Sequence, residues 1–164
     1  MVPLLRSPIR VLHACTLVLL GAALSCSSPS DQALRADLTL YLQRANDWAP
    51  AEAETARTID RILATQFVDE AEVRRQVTDD TPRVTAHLAR IEAIIPTSQE
   101  LRDVHARYVG AWRDLSAGYA ALLRGLDTGN VPDIAAGRKA MEAWLEAIVG
   151  VARDLRRLKA QAGL

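Results

Sequence analysis

The chain has 164 residues, 20 Lys plus Arg against 20 Asp plus Glu, 49% hydrophobic residues, 8 Gly, 7 Pro and 2 Cys. That length suits one domain, the apolar fraction is too high for a disordered chain, and the Gly and Pro counts exclude collagen-like and low-complexity classes. Zero net charge gives no reason to expect a nucleic-acid partner, and two cysteines build neither a disulfide scaffold nor a four-ligand zinc site.

The first segment in chain order carries an export pattern. Arg6 and Arg10 precede the apolar run Val11–Leu24, which holds 14 residues and no Asp, Glu, Lys or Arg. Such a run fits the hydrophobic stretch of a signal peptide and is short for a membrane span. Small residues and Cys26 follow. Ala22, Ala23, Leu24, Ser25 and Cys26 resemble the lipobox of bacterial lipoproteins, with Ala23 where Leu is commonest. The resemblance implies cleavage before Cys26 and acylation of its sulfur and new amino terminus. Cys15 is the rival site, disfavoured by His13 two residues before it. The alternatives are an ordinary secretory signal cut near Ser25 and an uncleaved anchor.

Physical chemistry agrees with an anchor. Cys15 leaves with the signal, so Cys26 would be a lone thiol on an exported chain, an oxidation liability that alkylation removes. Two or three acyl chains, at about 0.8 kcal/mol per buried methylene, hold a small domain on a bilayer. The tether Ser27–Ser30 spans roughly 14 Å when extended, so the folded part sits near the membrane. Ser27 stands where an Asp would resemble an inner-membrane retention signal. In a cell with two membranes the expected location is therefore the outer one.

Removal of residues 1–25 from the 164 leaves 139, enough for one core. Heptad spacing dominates this part. Leu34, Leu38, Tyr41, Ala45 and Trp48 form one stripe, and Val84, Leu88, Ile91 and Ile95 a second. A third runs through Leu101, His105, Tyr108, Trp112, Leu115, Tyr119, Leu122 and Leu126. The fourth, Ile134, Met141, Leu145, Ile148, Ala152 and Leu155, is interrupted by Arg138. The spacing predicts helices over 31–67, 70–95, 97–127 and 130–162. Asp69 and Glu72 mark one N-terminus, Thr97 and Glu100 a capping box, and Gly129 then Asn130 a C-cap followed by an N-cap. Pro50 and Pro82 should kink or break the first two helices, since proline removes a hydrogen bond and clashes with the preceding turn. Short loops make neighbours antiparallel. The expected fold is all-α, an up-down-up-down four-helix bundle over 31–164, behind a signal peptide at 1–25 and a lipidated tether at 26–30.

From Pro96 onward the chain also resembles exported bacterial helical-bundle proteins of unassigned activity. Glu100-Leu101, His105, Tyr108-Val109, Gly118-Tyr119, Leu122-Leu123 and Gly129-Asn130 carry the likeness. They are mostly packing positions, so the resemblance implies a fold and no activity.

Candidate chemistry is sparse. His87 and His105 lie nine residues either side of Pro96, which would set them level on adjacent helices. There they could share a metal ion or haem. No Glu-x-x-His or Cys-x-x-Cys-His occurs, and Met141 reads as core filler. The simpler expectation is two core histidines with hydrogen-bond partners and no cofactor. Tyr41, Trp48, Tyr108, Trp112, Tyr119 and Trp144 could line a pocket for an apolar or cationic ligand, although bulky core filling explains them as well. Gly110, Gly118, Gly137 and Gly150, inside helices, imply close helix approach or room for a ring, with Gly150 level with Tyr108. Asp79-Asp80 reads as a solvated kink beside Pro82. No nucleophile elbow, P-loop or dinucleotide fingerprint occurs, and an enzyme is not expected.

Charge placement is the most directional signal. Arg153, Arg156, Arg157 and Lys159 crowd the end of the fourth helix, where they also complement its dipole. In an even-numbered bundle both termini share one end. The helix halves at that end carry a net +3 and the far halves and loops −5, giving −2 after loss of Arg6 and Arg10. The expectation is a non-enzymatic, membrane-anchored envelope module. Its basic end faces anionic lipid and its acidic end a partner protein. The alternative is a small-ligand, haem or metal carrier using the core near His87 and His105.

Overall fold

A computed structural model describes residues 29–65 and 69–164. Cys26, Cys15 and the apolar run before them lie outside the described residues. Four helices follow in order: α1 Pro29–Ala64, α2 Glu70–Glu92, α3 Gln99–Thr128 and α4 Val131–Gln161. Each helix packs on the next and α4 closes on α1. Of the two diagonals, α1 meets α3 and α2 does not meet α4. This is the ring of an up-down-up-down four-helix bundle, the architecture the heptads predict. No described helix is long and apolar enough to cross a membrane.

Cross-links fix the two ends. At the near end, Asp37 of α1 meets Ser98 before α3, and Arg107 of α3 pairs with Asp154 of α4 at 2.5 Å. At the far end, Arg74 of α2 pairs with Asp127 of α3. The start of α1 and the finish of α4 therefore share the near end.

Neither proline interrupts its helix, so the expected break does not occur: α1 continues through Pro50 and α2 through Pro82. Both prolines are exposed, as are Asn46 and Thr78, whose carbonyls lose a donor. Water can serve those carbonyls, so the lost bonds cost little there.

Buried seams match the heptads on α1 and α3 and shift on α2 and α4. On α2 the buried residues are Val73, Val77, Asp80, Val84, His87 and Ile91. His87 replaces Leu88, which is half-buried, and Ile95 is 83% exposed. On α4 the buried residues are Gly137, Met141, Trp144, Val151 and Leu158, so Gly137 takes the place Arg138 seemed to interrupt. The reason is space. A Cβ on Gly137 would stand 2.5 Å from Leu122 Cβ, and one on Gly118 would stand 2.3 Å from Ala140 Cβ. Those glycines let α3 and α4 approach closely. Gly110 and Gly150 border open space instead, so Gly150 makes no room for a ring.

Capping follows the sequence at Asp69 and Gly129, while Asn130 stands at the N-cap of α4 without a side-chain cap bond and the expected box before α3 is replaced. Asp69 accepts the Glu72 amide at 3.0 Å, and Gly129 ends α3 in the left-handed region at φ 69°. The Thr97–Glu100 box does not form. Asp37 Oδ2 instead accepts the Thr97 amide at 2.9 Å and the Ser98 amide and hydroxyl at 2.8 Å each. A residue distant in sequence caps α3, which begins at Gln99.

Candidate functional site

The centre of the bundle is aromatic. Ring contacts run from Tyr41 to Trp48 at 5.5 Å, from Trp48 to Tyr108 at 6.2 Å, and from Tyr108 to Trp112 at 6.3 Å. Trp112 then meets Trp144 edge-on at 4.9 Å. His87 joins this group, its ring 4.0 Å from that of Trp112. The predicted seams of α1 and α3 thus converge as expected, and Tyr119 belongs to a separate cluster nearer the far end.

Polar groups thread the aromatics. The Tyr108 hydroxyl donates to Glu52 Oε2 at 2.9 Å and accepts from His87 Nε2 at 2.9 Å. That partner makes Nε2 the protonated nitrogen of a neutral His87. Burial, with Arg90 adding repulsion, pushes the His87 pKa down to about 4. Burial raises the Glu52 pKa, partly offset by the bond from Tyr108. Burial and the Glu52 charge raise the pKa of Tyr108 well above the usual tyrosine range.

His105 has its own partners. Its Nε2 donates to the Ile91 carbonyl at 3.1 Å, and its Nδ1 accepts from the Tyr41 hydroxyl at 3.0 Å. Burial lowers its pKa, against the pull of the Ile91 and Ile94 carbonyls. His105 thus meets Tyr41 and Ile91, while His87 meets Tyr108 and Trp112, and no hydrogen bond or ring contact joins the two histidines among the described residues. Both ring nitrogens of His105 and one of His87 are engaged by protein. Among the described residues no group of three or more His, Cys, Asp or Glu is placed to hold a metal ion.

A second polar cluster is one the sequence reading missed. Asp80 is 1% exposed, not solvated. Its Oδ2 accepts from Tyr119 at 3.0 Å, and its Oδ1 from Thr55 at 3.4 Å and from Arg83. Asp79, beside it, is exposed and pairs with Arg75 at 3.3 Å. The signal was present in the 4-3-4 spacing of Val73, Val77, Asp80 and Val84, which puts Asp80 and not Asp79 on the buried stripe.

Between α1 and α4 lies a pocket of about 250 Å³. Its depth is made by Tyr41, Trp48, Glu52 and Tyr108, its α4 wall by Ile148, Val151 and Leu155, and its exposed rim by Asn46, Ala49 and Ala152. Ala45 and Ala49 of α1 and Ala152 of α4 are among its lining residues. Among the described residues no Arg or Lys lines it. Glu52, which nothing in the sequence singled out, is its only carboxyl among the described residues.

The basic group of α4 is at the near end. Arg153, Arg156, Arg157 and Lys159 are all exposed. Arg153, Arg156 and Arg157 share the side of α4 opposite Val151 and Leu158. Arg157 reaches Asp154 at 3.5 Å, and the other three carry no ion pair among the described residues.

No protein-family model matches the chain, and no curated protein or solved structure matches it significantly.

Proposed function

We propose that this chain is a lipid-anchored, non-enzymatic helical module of the bacterial cell envelope that presents its far end to a partner protein. One observation carries the reading. Helix α1 starts at Pro29, so only Ser27 and Ser28 separate Cys26 from the folded bundle, and the exposed basic turn of α4 shares that end. A lipidated Cys26 would hold the near end against the bilayer. Each Arg or Lys near an anionic surface contributes about 1 kcal/mol of attraction, so Arg153, Arg156, Arg157 and Lys159 would orient the bundle upright. The acidic end then faces away, toward a basic or polar partner. In a cell with two membranes the outer one is the proposed site, since Ser27 follows Cys26.

Labelling with a fatty-acid analogue tests the anchor: Cys26→Ser should abolish incorporation, and undiminished incorporation would refute it. Vesicles of 30% anionic lipid test the orientation. Unlipidated protein should bind them, and reversing Arg153, Arg156 and Arg157 to Glu should remove most of that binding. In-cell crosslinking from the far end should capture an envelope protein.

The alternative is a small-ligand carrier, supported by the α1–α4 pocket. A haem or metal version of it would have to break the bonds that already occupy His105 and His87 Nε2.

A further inference from the structure

We propose that the α1–α4 pocket is a binding site for a small organic cation with an apolar body, such as an arylalkylammonium, whose charge sits against Glu52 beside the rings of Trp48 and Tyr108. The inference rests on the carrier reading and names the ligand class. It does not depend on the membrane orientation.

Three features point to this class. The first is charge. Glu52 Oε2 takes the single bond from Tyr108, and Oε1 has no protein donor among the described residues. Among the described residues no Arg or Lys lines the pocket, and Glu52 forms no salt bridge there. A carboxylate facing an apolar space is costly unless something pairs with it, and a bound cation does so. The same carboxylate disfavours an anionic ligand there.

The second is the ring arrangement. Tyr41 stands edge-on to Trp48 at an interplanar angle of 89°, and Tyr108 lies near-parallel to Trp48 at 18°. Aromatic rings around a carboxylate are the environment quaternary ammonium groups prefer, because ring quadrupoles attract the weakly hydrated cation. Tyr108 is held in place from behind by His87, so its position does not depend on the ligand.

The third is size and access. About 250 Å³ exceeds what a benzene-sized guest needs and falls just short of typical drug-sized pockets. A single ring with an ammonium group fits that range. Ile148, Val151 and Leu155 supply an apolar wall for the body, and Asn46, Ala49 and Ala152 leave the rim open.

The test uses the full chain with benzyltrimethylammonium, its neutral carbon isostere neopentylbenzene, and phenylacetate, read by quenching of tryptophan fluorescence and by calorimetry. The cation should bind saturably. The isostere should bind at least about tenfold more weakly, and phenylacetate should not bind. Glu52→Gln keeps an acceptor for Tyr108 and should weaken the cation at least about tenfold without changing the isostere. Ala152→Phe, at the rim, should exclude the cation and the isostere while the thermal unfolding of the protein remains cooperative. If cation and isostere bind equally and Glu52→Gln changes neither, the ligand class is wrong while the carrier reading stands. If none of the three binds to a folded protein, both fall.

Discussion

Asp37 caps a helix that begins at Gln99: its Oδ2 takes the backbone amide of Ser98 at 2.8 Å, joining α1 to the start of α3. Two more donors, the Thr97 amide and the Ser98 hydroxyl, converge on the same oxygen. Partial burial pushes the Asp37 pKa up, and the bonds from Ser98 and Thr97 outweigh it, leaving the group below its ordinary value. Asp37→Ala should therefore cost about 1–2 kcal/mol in urea unfolding, the usual worth of an N-cap acceptor. The contribution is present above the unfolded carboxyl pKa and fades as pH falls through the folded one. Wild type and variant should converge in stability in acid, and a constant difference from pH 7 to pH 2 would contradict the assignment.

The four mid-helix glycines named by the sequence should split into two pairs. Gly118→Ala and Gly137→Ala place a methyl against Ala140 Cβ at 2.3 Å and Leu122 Cβ at 2.5 Å, and each should destabilise by about 1–3 kcal/mol. A methyl at Gly110 meets nothing within 4 Å, and one at Gly150 meets only the end of Arg153. Those two substitutions should stabilise by about 0.5–1 kcal/mol through lower chain entropy and better helix propensity. Thermal melts of the four variants check the sign of each.

Asp80 holds Tyr119, Thr55 and Arg83 together in the far half of the bundle. Asp80→Ala strands a buried hydroxyl and an Arg side chain only partly open to water, and should cost about 2–4 kcal/mol. Tyr119→Phe removes one bond and should cost about 1 kcal/mol. In a double-mutant cycle the two should be strongly non-additive, since Asp80→Ala already abolishes what Tyr119→Phe removes. Additive costs would mean the bond has no energetic role.

The folded pKa of His87, about 4, lies below the ordinary value of 6.5. Between those values the unfolded chain binds more protons than the folded one, so stability rises with pH there. The contribution is complete above about pH 6.5 and is lost as pH falls toward 4. His105 shifts in the same direction. His87→Gln keeps a donor for Tyr108 and removes the titration, so its melting temperature should fall less steeply over this window than that of wild type. Parallel slopes would assign acid sensitivity elsewhere.

The helical architecture is legible in the chain's own periodicity. Heptad stripes on α1 and α3 are buried as read, from Leu38 and Tyr41 to Trp112 and Leu122. Asp69 and Gly129 mark helix boundaries by local bonding that a few residues decide. These are short-range matters of period, capping and turn geometry, and they are written in consecutive residues.

Which residues meet depends on how the helices pack. Asp80 and His87 are buried because Tyr119 and Tyr108, on another helix, supply partners that make burial affordable. Gly137 is a seam position because Leu122 closes on it. Glu52, an unremarkable acid on a helix face, becomes the one ionisable carboxyl in a pocket only when α4 is packed across α1. A polar group's cost is set by partners far away in sequence: spacing puts Asp80 on the buried stripe, and Tyr119 and Thr55 on other helices supply the bonds that let it stay there.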